Sequence, residues 1–88
     1  MNTALSATTD YMTIKIMLSK KEFTQKLAKR IKQLREAKGI SQEELAYRAG
    51  LYRTYVGHLE NARYSPSSYV VYKIARALKV KSSDLLSL

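Results

Sequence analysis

Ser41-Gln42-Glu43-Glu44-Leu45-Ala46-Tyr47-Arg48-Ala49-Gly50-Leu51-Tyr52-Arg53-Thr54-Tyr55-Val56-Gly57-His58-Leu59-Glu60-Asn61 decides the fold of this 88-residue chain. Ser41 to Glu44 spell a capping box, in which a serine hydroxyl and a glutamate carboxylate satisfy backbone donors left orphaned at a helix start. The helix that follows ends at Ala49-Gly50, since glycine accepts the positive φ that a turn of a few residues demands. A second helix resumes over about residues 52–61, with Tyr55, Val56 and Leu59 as its apolar side. Ala46 suits a close helix crossing, where a larger side chain would wedge the two helices apart. Leu45, Val56 and Leu59 then hold them at a steep angle.

Upstream, Ser19-Lys20-Lys21-Glu22 reads as another capping box. Phe23, Leu27, Ile31 and Leu34 follow as one apolar stripe at helical spacing, with Ala28 beside them. Lys38-Gly39 supplies the stop. Residues 1–10 are short and polar and read as an arm. Residues 11–18 alternate, with Ile14, Ile16 and Leu18 against Thr13 and Lys15, a strand-like period of two. The predicted division is therefore an N-terminal extension over 1–18, flexible or strand-like, and a helical domain over 19–88. Downstream, Ser65-Pro66-Ser67-Ser68 is a loop ending in a serine cap. Val71, Ile74, Ala75 and Leu78 form the inner face of a fourth helix, and Ser82-Ser83-Asp84 caps a last turn carrying Leu85, Leu86 and Leu88. The prediction is all-α, a compact five-helix domain.

Composition narrows the chemistry. Sixteen Lys and Arg against seven Asp and Glu leave a formal charge of +9, which calls for an anionic partner. The chain has no cysteine, which excludes a disulfide scaffold and Cys-containing zinc motifs. Its one histidine, His58, makes a histidine metal site untenable. No apolar run approaches the roughly 20 residues that span a bilayer, and the first residues lack the basic start and apolar stretch expected of a signal peptide. No nucleophile–base spacing or phosphate loop joins the few candidate groups, so an enzyme is the weakest reading. The expectation is a cytoplasmic protein without cofactor, metal or small-molecule effector. Half of the basic residues (Lys20, Lys21, Lys26, Lys29, Arg30, Lys32, Arg35 and Lys38) crowd the first helix.

Residues 41–61 resemble the helix-turn-helix of the Cro/cI-type (lambda-repressor-like) family, and Ser65-Pro66-Ser67, Lys73 to Val80 and Asp84-Leu85-Leu86 resemble the rest of that domain. The resemblance covers about residues 20–88. Leu51-Tyr52-Arg53-Thr54-Tyr55-Val56 with Leu59-Glu60 is most similar to the controller proteins of restriction–modification systems, small dimeric regulators. Two positions depart from the family pattern. Ala62 stands where glycine is common, so either the helix exit is less sharp or Asn61 takes the left-handed conformation. Tyr52 stands where a capping Ser or Thr is common.

The resemblance implies a sequence-specific regulator whose third helix enters the major groove of duplex DNA. With Val56 and Leu59 inward, Arg53, Thr54, Gly57 and His58 face out as candidate base readers. The Arg53 fork matches guanine O6 and N7, a pairing worth about 1–3 kcal/mol of discrimination. Gly57 lacks a side chain in mid-helix at a cost of about 1 kcal/mol, which favours a packing or docking reason. Phosphate contacts are expected from Gln42 at the start of the second helix and from Asn61, with Tyr52, Arg48, Arg63, Tyr64 and Ser67 flanking. The plainer alternatives are a phosphate clamp for Arg53, a solvent-exposed spectator for His58 and simple helix packing for Thr54, while Tyr55 reads as core or helix packing rather than a stacking platform. The family also implies an ion pair between Arg35 and Glu60 that orients the recognition helix.

A near-palindromic operator requires a homodimer, its half-sites about 34–36 Å apart. Tyr69, Tyr72, Val80, Leu86 and Leu88 are the expected interface, an isologous apolar patch at the C-terminal end. A phage, plasmid or toxin–antitoxin repressor is an alternative of the same fold. From another class, the basic amphipathic first helix suits an anionic membrane or a protein partner, though such a binder has no need of the helix-turn-helix pattern.

Overall fold

The computed structural model describes the backbone of residues 2–88 and the side chains of residues 19–88. Five helices follow in order: α1 (Asn2–Ala37), α2 (Gln42–Ala49), α3 (Tyr55–Glu60), α4 (Ser68–Leu78) and α5 (Ser82–Leu86). α2 packs on α3 and α4, α5 packs on α4, and α1 lies across α3 and α5. The core they enclose is aliphatic and alanine-rich. Leu27 and Ile31 of α1 meet Leu45, Ala46 and Ala49 of α2, Val56 and Leu59 of α3, Val71, Ile74, Ala75 and Leu78 of α4, and Leu85 of α5. Ala46 is fully buried, as the close α2 crossing requires. No buried side-chain nitrogen or oxygen among the described residues lacks a hydrogen-bond partner.

α1 differs from the expectation. It does not start at Ser19 but runs as helix from Asn2, so the strand-like reading of 11–18 is overturned and Ser19 is an interior residue. A lone strand would leave its backbone groups unpaired, whereas lengthening a helix already nucleated gains one hydrogen bond per residue. The sides taken by Ile14, Ile16 and Leu18 lie outside the described side chains. Glu22, expected to reach back to a cap, pairs instead with Lys26 one turn on, at 3.4 Å. Phe23 is on the apolar stripe but stands at the edge of the core, 41% exposed.

Caps explain where the short helices begin. The Ser41 hydroxyl accepts the Glu44 N–H at 3.0 Å, while the Glu44 carboxylate turns to Arg48 at 2.8 Å, so half of that capping box forms. Ser67 caps α4 by accepting the Val70 N–H at 3.2 Å. α5 starts one residue earlier in its cap than expected, at Lys81, whose N–H donates to the Asp84 carboxylate at 2.9 Å. α3 is shorter than expected. Residues 52–54 form a turn, the Tyr55 N–H donating to the Tyr52 carbonyl at 2.9 Å, and Thr54 precedes the helix without a side-chain cap bond. Without a capping oxygen at position 52, the turn itself carries the chain into α3.

Candidate nucleic-acid interface

Gly50 sets the angle between α2 and α3. It sits at φ 66°, ψ 35°, and its N–H bonds back into α2. Its carbonyl accepts from the Lys73 ammonium of α4 at 3.2 Å, which ties the turn to the helix behind it. α3 is then held at its far end. Arg35 of α1 donates from Nε to one Glu60 carboxylate oxygen at 2.6 Å and from Nη2 to the other at 2.9 Å. Its Nη1 donates to the Ile40 carbonyl at 2.8 Å. The Arg35 and Glu60 side chains are only 11% and 3% exposed, so this is a shielded, bidentate pair. The hydrogen bond to Glu60 raises the Arg35 pKa above its ordinary value, burial opposing it and the charges of Glu60 and Glu36 adding to it.

Gln42 joins this pair. Its Nε2 donates to Glu60 Oε1 at 3.0 Å, so the side chain crosses from the start of α2 to the end of α3. A methyl group at Gly57 would stand 3.1 Å from Gln42 Oε1, so glycine there makes room for the crossing side chain. The packing reason expected for Gly57 thus has a named neighbour. Gln42, expected at a phosphate, stays exposed at the start of α2 and lines the concavity described below, while its amide bonds across to α3. The i, i+3 spacing of Gly57 and Glu60 put both on one side of α3, but only the fold brings Gln42 to that side.

Arg53, Thr54, Gly57 and His58 line one shallow concavity together with Gln42, Glu43, Asn61 and Arg63. Arg53 and Thr54 lie in the turn ahead of α3 rather than in the helix, and both are exposed. His58 is half-buried. Its Nδ1 lies 3.2 Å from Arg63 Nη1, and its ring meets that of Tyr64 edge-on at 5.3 Å. Tyr64 also packs against Tyr55 at 5.5 Å, and Tyr55 packs on the core. Tyr52 is 79% exposed and borders the same aromatic group. Arg48 is bonded to Glu44 on the outer face of α2, and Ser67 is occupied as a cap, so neither lines the concavity. Sequence reasoning missed a second cleft, in which Lys20, Lys21, Thr24 and Gln25 of α1 face Asn61, Arg63 and Ser65. It brings the head of the basic α1 cluster alongside the exit of α3.

Of the residues expected at a dimer interface, Tyr69, Tyr72, Leu86 and Leu88 are 66, 47, 45 and 42% exposed. Val80 is partly buried and packs on the core. Lys73 lies over the Tyr69 ring, 5.1 Å from its centre, and Arg76 donates to the Tyr72 hydroxyl at 3.1 Å. Among the described residues there is no group of three or more His, Cys, Asp or Glu that could hold a metal ion, and no helix long and apolar enough to cross a membrane.

Two short helices joined by a glycine turn, the second presenting an open polar face, define a helix-turn-helix DNA-binding unit. Residues 31–85 match the helix-turn-helix family, and the chain belongs to it. An uncharacterised HTH-type transcriptional regulator of Archaeoglobus fulgidus is 41% identical over 56 residues, 64% of this chain and 80% of that one. The control protein C.BamHI of Bacillus amyloliquefaciens is 38% identical over 58 residues, 65% of this chain and 72% of that one. Among solved structures, the restriction–modification controller protein C.AhdI of Aeromonas hydrophila superposes with a TM-score of 0.69 at 40% identity, covering 70% of this chain and 94% of that one. The chain is a helix-turn-helix transcriptional regulator related to restriction–modification controller proteins, and these relatives are regulators rather than enzymes.

Proposed function

We propose that the chain is a sequence-specific regulator that acts as a homodimer on a near-palindromic operator, in the role of a restriction–modification controller. The observation that carries the reading is the grouping of Arg53, Thr54, Gly57 and His58 around one exposed concavity, with Gln42 and Asn61 at its rim. In this reading Arg53 reads guanine, and Thr54 and His58 touch neighbouring bases. The open N-terminal turn of α2, with Asn61, Arg63, Tyr64 and Tyr52, takes phosphates. The Lys20–Lys21 cleft supplies charge that attracts DNA without selecting it. In this reading the protein works where the genome is.

The test compares Arg53→Ala with Lys20→Gln on a selected operator and on random duplex over a range of salt. Arg53→Ala should reduce operator binding about 5- to 100-fold and leave random duplex nearly unchanged. Lys20→Gln should weaken both alike and lower the salt slope by about 1. Equal losses on both duplexes for Arg53→Ala would remove it from base reading.

A further inference from the structure

Four helices leave through the same turn. At Gly39, Gly50, Ala62 and Lys79 φ is positive. In each case that residue's N–H donates three residues back and the next N–H donates five residues back. Such exits are usually closed by an apolar contact from that next residue. After α1, α2 and α4 it is Ile40, Leu51 and Val80, all packed on the core. After α3 it is Arg63. The backbone N–H of Arg63 donates to the His58 carbonyl at 3.0 Å, and its Nη1 lies 3.2 Å from Nδ1 of the same histidine. The one exit that departs from the apolar pattern is therefore the one behind the recognition helix, and it folds an arginine back onto a residue of the concavity.

A guanidinium only donates hydrogen bonds and does not lose its proton in proteins. The Nδ1 that faces it must then accept, and a neutral imidazole that accepts at Nδ1 carries its proton on Nε2. Tyr64, edge-on to His58 at 5.3 Å, packs beside the same ring. We infer that Arg63 is a positioning residue that fixes His58 as an Nε2–H donor, so that α3 selects a hydrogen-bond acceptor at the base edge opposite His58. Guanine N7 or O6, adenine N7 and thymine O4 meet that demand; cytosine, whose major-groove edge offers only a donor, does not. This rests on the base-reading role proposed for His58 and adds which chemistry it reads and what decides it.

Two measurements test it, one without DNA. Nitrogen NMR of the free protein should find the His58 proton on Nε2, with a hydrogen-bonded Nδ1 resonance that moves to the unbonded position in Arg63→Met. A proton on Nδ1 in the wild type, or an Nδ1 resonance unchanged by Arg63→Met, overturns the inference. Selection from a random duplex pool with wild type, His58→Ala and Arg63→Met is the second. The wild type should show one position per half-site with cytosine depleted about three- to tenfold, the worth of one neutral hydrogen bond. That depletion should vanish in both variants while the positions read by Arg53 persist. An Arg63→Met protein that binds every duplex more weakly but keeps the depletion overturns the inference alone, leaving Arg63 a phosphate contact. If the wild type enriches no sequence, the base-reading role and the inference built on it both fall.

Discussion

Ala62 holds a left-handed conformation, φ 56°, at the exit of α3. The departure from the family's glycine therefore neither blunts the turn nor shifts the left-handed position to Asn61, whose φ is −90°. Two backbone hydrogen bonds, from Ala62 to Leu59 and from Arg63 to His58, hold the strained residue in place. An L-residue pays roughly 1–2 kcal/mol for this region, against about 0.4–1 kcal/mol for the extra unfolded-state freedom of glycine. Ala62→Gly should thus stabilise the domain by about 1 kcal/mol and raise its melting temperature by about 4–8 °C. Calorimetry that finds no rise would mean that the exit relaxes in solution. Lys79, at φ 59°, is the same case at the end of α4. Strain of this kind is invisible in a sequence, because alanine is at home in the helix that precedes it.

At the scale of elements, α3 has six residues, of which Val56 and Leu59 are buried in the core. Arg35 and Gln42 join it to α1 and α2 through the Glu60 carboxylate. Removing Glu60 leaves a largely shielded guanidinium with only the Ile40 carbonyl of its named partners, so Glu60→Ala should cost about 3–5 kcal/mol in denaturant unfolding. A midpoint equal to wild type would show the pair to be idle. Replacing both partners, as in Arg35→Met with Glu60→Leu, should recover most of that stability, since an apolar pair of similar size carries no desolvation penalty. Operator binding should not recover with it. The sign of the Arg35 shift also matters. A raised pKa means that the arginine's share of the pair is fully present below the ordinary arginine value and is lost only as pH rises through the raised one, so no loss from arginine is expected across the neutral range. The Arg35–Glu60 pair was legible from the family resemblance. Gln42 as its third member was not, because a glutamine at a helix start carries a phosphate-binding reading just as well.

For the molecule as a whole, half of the sixteen basic residues lie between Lys20 and Lys38, a cluster whose head runs along the α3 exit, while only Arg53 and Arg63 line the concavity. One short helix in one groove gives little affinity, which is why the proposed assembly is a dimer. Leu86 and Leu88 remain nearly half exposed after Leu78 and Leu85 have closed the core beneath α1. Sedimentation without DNA should find a dimer, and Leu86→Lys with Leu88→Lys should give a monomer of unchanged helicity whose operator binding falls steeply. A wild type that sediments only as monomer would discard this interface.

The identity of the helices from residue 20 onward, the glycine exits at Gly39 and Gly50 and the serine caps at Ser41 and Ser67 were settled by local chemistry, since each depends on residues close along the chain. The same holds for the core, because apolar spacing at 3.6 residues names the buried face before any partner is known. What tertiary structure alone decided involves groups far apart in sequence or hidden in backbone geometry. It laid Gln42 across Gly57 to Glu60. It also brought Lys20 and Lys21 beside Asn61 and Arg63, and folded Arg63 back on His58 through a left-handed alanine. A sequence lists donors and acceptors, but which of them meet depends on crossing angles that only the packed helices define.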